Sequence, residues 1–506
     1  MAIMGVDVGT THCKAGLFVE DAGRLRLVAS SSRPSAARRA PEGYAYYDPD
    51  ELWKTVADCI AEVREAGAPV QPSAIGISSM AESGLLVDRF TGDARSVLLP
   101  WFDQSAAPQA ALLGGHGNPI QRRERFLSSG IYPSFKSSLA KILWLKDRQV
   151  SILNGAVWLP AASYMVYRLT GKMASDYSLA GRTYAFHIGK KSWDEEWLRE
   201  WGLSSDIFPP VIQAGKRVGG CLQGNRAGLP TGMPVSITGH DHVCAAFAAG
   251  ANQQGLVFDS MGTAESFLGS YKEGALGEDE YRSGLSFGIH VAQGYNYWMG
   301  GLSASGGSVE WLRSLLGERP LSYEDLDALM VQAGPEPSGI LYFPYLTGSG
   351  SPHTDPNLRG ALIGLSSTDG RADIIKAVLE GTAYELEYIR RTAEQAVAGP
   401  IERIFVAGGG TRNQHWLQIK ADVFGLALEV LSMPEATLLG AALLAGVGAG
   451  KFLSEEDALS ARPEVQVEFY LPDPVRHLAY QELFEQGYLP LQQPLRDLAR
   501  RRTTQT

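Results

Sequence analysis

The sequence predicts an α/β protein assembled from two similar halves. Two strand–turn–strand segments indicate the duplication: residues 3–19 turn at Gly9, and residues 256–264 turn at Gly262. Farther along, a strand leads through a glycine cluster into a helix within residues 404–424, the alternation that is typical of α/β folds. We therefore expect two domains of about 250 residues each, which is larger than the usual domain.

The predicted N-terminal domain spans residues 1–244, and the predicted C-terminal domain spans residues 245–506. Short apolar runs bounded by turn residues predict further strands at residues 74–78, 85–87 and 97–100. Apolar periodicity predicts helices at residues 50–66, 139–146 and 372–396. The segment at residues 438–450 is apolar, short and rich in Ala and Gly, which predicts a buried and tightly packed helix.

Composition excludes several classes of function. The 506 residues carry 45 Lys and Arg against 55 Asp and Glu, a formal net charge of −10, so we expect neither nucleic acid nor an anionic membrane as a partner. The four cysteines form no CxxC pair, which disfavours a zinc site or a disulfide framework. No apolar run reaches the ~18 residues of a membrane span, and the N-terminus does not resemble a signal peptide. A cytoplasmic protein fits these features.

The first glycine turn has the composition of a phosphate site. Gly9, Thr10 and Thr11 place backbone N–H groups and two hydroxyls in one concave turn, which suits an anion. Asp7 ends the first strand, where a carboxylate can hold Mg²⁺ beside substrate phosphates, and Lys14 would add a positive charge. Taken alone, the pattern is explained as well by a plain hairpin, and no GxxxxGK[ST] motif is present.

A second group surrounds Asp241 in the sequence Gly239-His240-Asp241-His242. An alcohol hydroxyl is a weak nucleophile, so an enzyme that uses one needs a carboxylate within hydrogen-bond reach to accept its proton. Asp241 follows a glycine turn and precedes small residues, which suits a position at a cleft. The alternative is that Asp241 caps the N-terminus of a helix, a position that Asp favours.

Two more glycine turns lie in the second half. Gly262-Thr263-Ala264 repeats the phosphate-type turn of the N-terminus. Residues 407–413 form a glycine-rich turn between a strand and a helix, a surface that a flat base or a ribose can approach. The pattern is not GxGxxG, which argues against a dinucleotide-binding unit. The alternative for residues 407–413 is a tight strand-to-helix turn.

Together, the order and spacing of these motifs resemble the FGGY family of carbohydrate kinases, within the actin-like ATPase superfamily, over residues 3–455. The resemblance is carried by Asp7-Val-Gly-Thr-Thr11, Trp101-Phe-Asp103, Lys141-Ile-Leu-Trp144, Leu169-Thr-Gly171, Gly239-His-Asp241, Met261-Gly-Thr263, residues 306–311 and Gly408-Gly-Gly410. It implies two actin-like ATPase (ribonuclease H-like) domains with a central interdomain cleft. It also implies phosphorylation of a hydroxyl on a small sugar or polyol, with ATP and Mg²⁺, as in xylulokinases and glycerol kinases.

The resemblance also implies roles for individual residues. Asp241 would be the general base, and Asp7 would hold the metal. The residues expected to contact the nucleotide are Gly9, Thr10, Thr11, Lys14, Gly262, Thr263, Gly306, Glu310, Gly409, Gly410 and Asn413. The residues expected to contact the substrate are Glu82, Trp101, Asp103, Asp241 and His242, with Lys136 as a further pocket residue.

The substrate side departs from the better-known subfamilies. Glycerol kinases carry an Arg-Glu pair where this chain has Ala81-Glu82, which disfavours glycerol, and Glu82 falls where xylulokinases have His. A carboxylate accepts two hydroxyl hydrogen bonds, so Glu82 suits a polyol, although a solvated loop acid is the alternative. Trp101 suits the C–H face of a sugar, with a core position as its alternative. Pentuloses, tetritols and hexuloses all stay open as substrates.

Two functions from other classes are left as alternatives. The first is an actin-like ATPase that couples its nucleotide state to protein binding, and the second is a non-catalytic sugar-sensing relative. No peptide-binding domain is visible after residue 455, which disfavours the first, and retention of Asp7 and Asp241 disfavours the second. The resemblance leaves a homodimer open, because relatives are often dimers or tetramers.

Overall fold

The computed structural model describes residues 1–503, and each half of the chain is organised around a mixed β-sheet. The first sheet has the strand order β5-β6-β4-β1-β2-β3. Its strands are β1 (Ala2–Val8), β2 (His12–Asp21), β3 (Arg24–Pro34), β4 (Ile75–Ser79), β5 (Arg217–Gly220) and β6 (Pro234–His240). Strands β1 and β2 are antiparallel, whereas β4 lies parallel to both β1 and β6.

The second sheet repeats this beginning. Its strands are β7 (Leu256–Met261), β8 (Glu265–Lys272), β9 (Ser286–Ile289), β10 (Tyr295–Leu302), β11 (Arg403–Ala407), β12 (Leu428–Leu431) and β13 (Val467–Tyr470), in the order β9-β10-β8-β7-β11-β12-β13. Strands β7 and β8 form an antiparallel hairpin, and β11 lies parallel to β7. The structure therefore confirms both predicted hairpins and the predicted strand at residues 404–406.

Helices cover the sheets. Those up to residue 249 are α1 (Pro49–Ala66), α2 (Ala107–Gly115), α3 (Pro119–Ser129), α4 (Ser138–Arg148), α5 (Ala161–Thr170), α6 (Tyr177–Gly181), α7 (Glu195–Glu200) and α8 (Asp241–Ala249). Those that follow are α9 (Glu278–Ser283), α10 (Gly306–Leu315), α11 (Tyr323–Ala333), α12 (Arg371–Ala396), α13 (Gln414–Phe424), α14 (Ala436–Gly448), α15 (Glu455–Ser460), α16 (Pro474–Glu482) and α17 (Leu489–Thr503).

The chain also contains short two-stranded ladders and single helical turns. Two-stranded ladders pair Arg38–Arg39 with Ala45–Tyr46, Gly84–Asp88 with Ala156–Pro160, Ser175–Asp176 with Val211–Ile212, Phe186–His187 with Ser192–Trp193, and Leu341–Phe343 with Ala361–Ile363. Single-turn 3₁₀ segments occur at Val150–Leu153, Ser205–Ile207 and Gly409–Arg412, and a π-helical turn at Leu483–Tyr488.

Helices α8 and α14 join the two halves. Helix α14 comes from the second half of the chain but packs directly on β1 and on α8. Glycine permits this close approach: a Cβ on Gly5 would lie 2.0 Å from the Leu438 carbonyl oxygen, and one on Gly440 would lie 2.1 Å from that of Cys244. The structure confirms the predicted buried helix, whose residues Leu438–Gly446 are almost fully covered.

One predicted strand is wrong. Residues 97–100 form two isolated bridges, Tyr47 with Leu98 and Gly84 with Leu99, in place of a continuous ladder. Pro100 closes the segment and has no backbone N–H to extend the pairing. Within residues 1–503, no helix combines the length and the apolar character that a membrane crossing requires.

Candidate active site

The β1–β2 hairpin forms a tight turn at the carboxyl end of β1. The Gly9 amide donates to the His12 carbonyl oxygen at 3.1 Å, and a Cβ on Gly9 would lie 2.7 Å from that oxygen. The Tyr47 hydroxyl and the Ser35 hydroxyl donate to the carbonyl oxygens of Thr10 and Gly9. No hydrogen bond within residues 1–503 occupies the amides of Thr10 or Thr11, so the turn presents donors to an anion.

Asp7 lies on β1 beside this turn. Its Oδ1 atom is buried and has no hydrogen-bond partner in the described part of the chain. Burial and the nearby Asp241 raise the pKa of Asp7 well above its ordinary value, while Lys14 opposes that rise. A carboxylate with an unused oxygen, close to a second carboxylate, is a donor set that fits a divalent cation.

The parallel strands bring Asp241 to the same edge of the sheet. Strand β4 pairs with β1 on one side and with β6 on the other, and Asp241 directly follows β6. Helix α8 begins at Asp241, and its N-cap residue is His240, so the alternative interpretation of Asp241 as the helix cap is wrong. Asp241 Oδ1 accepts from the His242 amide at 2.8 Å and lies 3.2 Å from His240 Nε2.

The electrostatics of Asp241 suit a proton acceptor. Burial, and to a smaller extent the charge of Glu82, raise the pKa of Asp241 to about 7. Burial lowers the pKa of His240 well below its ordinary value, so His240 is neutral and can donate its Nε2 proton to Asp241. Both contacts use Oδ1, which leaves Oδ2 for a substrate proton.

Glu82 lies in a charged pocket near Asp241. Arg182 donates to Glu82 Oε1 from Nε at 3.0 Å and from Nη2 at 2.5 Å, and Lys141 donates to the Glu82 carbonyl oxygen at 2.5 Å. The Glu82 side chain is 12% exposed, so the alternative interpretation as a solvated loop acid is wrong. Burial alone would raise the pKa of Glu82, but Arg182 and the lysines Lys136 and Lys141 hold it below its ordinary value.

The two halves of the chain meet at Arg182. Burial would lower the pKa of Arg182, but Glu82 and Tyr297, a residue of β10, raise it above its ordinary value. His242 is half-buried, and desolvation followed by the charge of Arg182 lowers its pKa, so it is a neutral polar group in this pocket. The pocket therefore combines an ionised carboxylate, a fixed guanidinium and a neutral imidazole.

Trp101 connects this pocket with the phosphate turn. Its Nε1 donates to Thr10 Oγ1 at 2.8 Å, and the Lys136 ammonium lies 5.3 Å from its ring centroid. Both oxygens of Asp103 are occupied: Oδ1 accepts from the Ala45 amide at 2.7 Å, and Oδ2 accepts from Ser105 in its own loop. Contact of Trp101 or Asp103 with substrate stays a prediction.

Three segments of the second half converge where the sequence predicts the nucleotide. The carbonyl oxygens of Gly262 and Thr263 each accept at 3.1 Å, from the amides of Gly306 and Ser305. Gly408 has a φ of 114° and approaches Met261 so closely that a Cβ would lie 2.4 Å from the Met261 carbonyl oxygen. The phosphate-type turn, the start of α10 and the glycine turn before α13 therefore form one surface.

The other predicted nucleotide residues lie around this surface. A Cβ on Gly409 would have no neighbour within 4 Å, and Gly410 packs on Met261. Asn413 uses Oδ1 to cap α13 by accepting from the Trp416 amide at 3.0 Å. Glu310 is 54% exposed and bound by Arg313 at 2.8 Å, so its contact with phosphates stays a prediction.

Lys14 is paired across the two halves. Its ammonium lies 3.1 Å and 3.2 Å from the two carboxylate oxygens of Glu435, the residue that precedes α14. Sequence reasoning missed Glu435, Arg182 and Tyr297. None lies in a glycine motif, and the need for Arg182 follows only once Glu82 is known to be buried.

Comparison with known proteins identifies the family. The model of the FGGY family of carbohydrate kinases, N-terminal domain, matches residues 2–248, and that of the C-terminal domain matches residues 260–449. The chain belongs to the FGGY family of carbohydrate kinases. It is therefore a kinase that uses ATP to phosphorylate a sugar or polyol, which confirms the function expected from the sequence. The domain boundary at residues 244 and 245 stays a prediction.

Individual FGGY relatives extend over nearly the whole chain. A xylulose kinase of Bacillus subtilis (strain 168) is 28% identical over 96% of this chain and 95% of its own length. A glycerol kinase of Gloeobacter violaceus is 29% identical over 91% of each chain. The crystal structure of a xylulose kinase from Rhodospirillum rubrum superposes with a TM-score of 0.88 at 23% identity, covering 99% of this chain and 100% of that one. The predicted two-domain actin-like α/β fold is thereby confirmed.

Proposed function

We propose that this FGGY kinase transfers the γ-phosphoryl group of Mg-ATP to a hydroxyl of a small sugar or polyol, with Asp241 as the general base. One observation carries the proposal: Asp241 follows β6 at the same sheet edge as Asp7, with its pKa raised to about 7 and Oδ2 unused. A base whose pKa lies near the working pH combines a deprotonated form with useful proton affinity.

Different residues of this chain would accept the proton and bind the phosphoryl group. The acceptor hydroxyl gives its proton to Asp241 Oδ2 while its oxygen bonds to the γ-phosphorus, and the bond from that phosphorus to the β,γ-bridging oxygen breaks to release ADP. The free amides of Thr10 and Thr11 would meet the transferring phosphoryl oxygens. Such positioning and charge stabilisation account for most of the catalysis in phosphoryl transfer.

Magnesium fits the carboxylate of Asp7. The buried Oδ1 atom of Asp7 has no hydrogen-bond partner in residues 1–503, and the nearby Asp241 adds a second negative charge. When bound, Mg²⁺ would neutralise part of the phosphate charge. Lys14 lies opposite Asp7 in the β1–β2 register and would supply a further positive charge, although it pairs with Glu435 here.

The sugar would lie between Glu82 and Asp241. Arg182 fixes Glu82 through Oε1, which leaves Oε2 to accept a hydroxyl, and Lys136 and His242 offer further polar contacts. Relatives of this chain are named xylulose kinase and glycerol kinase, so the acceptors to test include ketoses and polyols of different lengths. Ala81 in place of an arginine favours ketoses and longer alditols over glycerol.

The proposal is tested with Asp241→Asn. We expect kcat to fall about 10²–10⁴-fold, because the amide cannot accept the hydroxyl proton. The matched control is Asp48→Asn: the Asp48 side chain caps α1 and is not among the residues placed in the site, and Asn caps equally well, so kcat should not change. An Asp241→Asn variant that retains the wild-type rate would disprove the role of the base.

The acceptor is found by screening. Thermal shift against a stereochemically complete panel of C3 to C6 alditols, ketoses and sugar acids will reveal binders, because a ligand of the native state raises stability. Each binder is then assayed for ATP-dependent phosphorylation. ATP turnover that stays constant across the panel would instead favour a nucleotide-driven protein-binding role.

A further inference from the structure

A lysine is buried completely in the second half of the chain. Lys420, on α13, has a side chain with 0% exposure. Its ammonium donates to Asp259 Oδ2 on β7 at 2.9 Å and to Glu265 Oε1 at the start of β8. Removing a cation and two carboxylates from water is costly, and such groups persist in proteins when they specify an arrangement. The mechanism above uses none of these three side chains.

The buried cluster continues to the start of α10. Glu265 Oε2, the oxygen not used by Lys420, accepts from the Ser305 hydroxyl. Ser305 is the N-cap residue of α10, and its amide donates to the Thr263 carbonyl oxygen at 3.1 Å. Asp259 and Glu265 flank the turn that contains Gly262 and Thr263. The cluster therefore fixes both sides of the turn and the helix that packs on it.

The same lysine connects this turn to the glycine turn before α13. Helix α13 begins at Gln414, directly after Asn413, and carries Lys420 two turns later. Trp416 lies between Asn413 and Lys420 in the sequence. Its ring centroid is 5.3 Å from the Lys420 ammonium, and its Nε1 donates to the Thr382 hydroxyl of α12 at 3.0 Å. One ammonium thus links the strands on both sides of the turn at Gly262 to the helix that follows the turn at Gly409.

We infer that Lys420 is a positioning residue of the nucleotide site, which acts through Glu265 and Ser305 to hold the phosphate-type turn, the start of α10 and the adenosine turn in register. The inference rests on the proposed placement of ATP at these turns. Small displacements of aligned groups have large effects on binding and reaction, so the loss of this buried contact should weaken nucleotide binding. The sugar pocket around Glu82 shares no residue with the cluster.

The test measures nucleotide and acceptor binding separately. In Lys420→Met we expect the Kd for Mg-ATP, measured by calorimetry without acceptor, to rise about tenfold, with the KM for the acceptor changed less than about twofold. Ser305→Ala, a smaller change that breaks only the link to α10, should raise the same Kd about threefold. An unchanged Kd in both folded variants would overturn the inference.

Two further variants keep the test decisive. If Lys420→Met does not fold, the triple variant Asp259→Leu, Glu265→Met and Lys420→Met removes all three charges and should fold, because apolar replacement of a buried cluster is often neutral. It should show the same loss of Mg-ATP affinity, and wild-type affinity would overturn the inference.

Lys376→Met is the matched control. Lys376 is a buried lysine that donates to the carbonyl oxygens of Gly334 and Glu336, so the Kd of this variant for Mg-ATP should not change.

The outcome is independent of the catalytic proposal. Failure of the wild-type protein to phosphorylate any acceptor would contradict the proposed function, whereas the calorimetric Kd for Mg-ATP would still report on Lys420. Equal losses of nucleotide affinity in Lys420→Met and Lys376→Met would indicate general destabilisation and overturn the inference.

Discussion

The hairpins that open the two sheets share a backbone design but use their carboxylates differently. Each has an aspartate on its first strand, a glycine–threonine turn and a parallel partner strand. Asp7 has a buried Oδ1 without a partner in residues 1–503, and it lies near Asp241. Asp259 instead accepts from the buried ammonium of Lys420 at 2.9 Å.

The difference shows what separates a reactive carboxylate from a structural one. Asp259 is fully buried and Asp7 is half-buried, and desolvation raises the pKa of each. The lysine opposite Asp7 is partly exposed and directed to Glu435, whereas Lys420 is enclosed with Asp259. On the proposed assignments, the first hairpin keeps the carboxylate two positions before its glycine available for the metal. The second hairpin has Ser260 at that place and uses Asp259, three positions before Gly262, to hold the nucleotide turns.

The variants Asp7→Asn and Asp259→Asn test this comparison, and they have the largest expected effect on activity. Asp7→Asn should lower kcat about 10²–10³-fold, since it removes charge that would hold Mg²⁺ against the phosphates. It should not lower the melting temperature, because the buried site already disfavours the charged form. Asp259→Asn should keep kcat at saturating ATP within about tenfold, since its carboxylate touches no reacting atom.

Steady-state kinetics with magnesium titration and calorimetric melting curves check both variants. Wild-type activity in Asp7→Asn, or a loss in Asp259→Asn as large as that in Asp7→Asn, would contradict the division of roles between the hairpins.

The pH dependence of activity and of stability sharpens the same comparison. Protonated Asp241 cannot act as a base, so kcat/KM for the acceptor should fall as the pH drops through about 7. Stability should change in the opposite sense. The pKa of Asp241 is higher in the folded than in the unfolded protein, so the stability that protonated Asp241 contributes is lost as the pH rises through about 7. Over one pH range the enzyme gains activity and loses stability.

Asp241→Asn and Glu82→Gln are the variants for this measurement. Asp241→Asn should flatten the pH dependence of the melting temperature between pH 5 and 8, because the titrating group is gone. Glu82→Gln should move the acid limb of kcat/KM to lower pH, since the Glu82 charge raises the pKa of Asp241. An acid limb that stays in place in Glu82→Gln would assign it to another group.

The sequence predicted the hairpins and the glycine turns, and it indicated Asp241 as a candidate base, because each lies in a short motif that can be recognised from neighbouring residues alone. Gly9 and Gly408 occur where the backbone approaches a neighbour too closely for a Cβ, and such positions are visible as glycine clusters. The partners of the site were not visible. Arg182 and Glu435 act through charges that approach from distant parts of the chain, and no spacing rule connects them to Glu82 or Lys14.

The same limit applies to Trp101 and Asp103. The family resemblance indicated both as substrate residues, which stays a prediction, and Trp101 contacts the phosphate turn through Thr10. Whether a carboxylate faces a ligand or its own loop depends on the backbone that surrounds it. Asp103 accepts from Ala45, 58 positions away, a contact that no local pattern specifies.

Alanine at the two turn glycines gives the smallest expected difference between the hairpins. A Cβ on Gly9 would lie 2.7 Å from the His12 carbonyl oxygen, so the backbone must shift, whereas a Cβ on Gly262 would lie 3.0 Å from that of Ala264 and needs less adjustment. We expect Gly9→Ala to lower kcat about fivefold to tenfold and Gly262→Ala about twofold, since small displacements of aligned groups cost rate. Single-turnover measurements separate chemistry from product release, and a larger loss in Gly262→Ala would show that the second turn, and not the first, positions the transferring phosphoryl group.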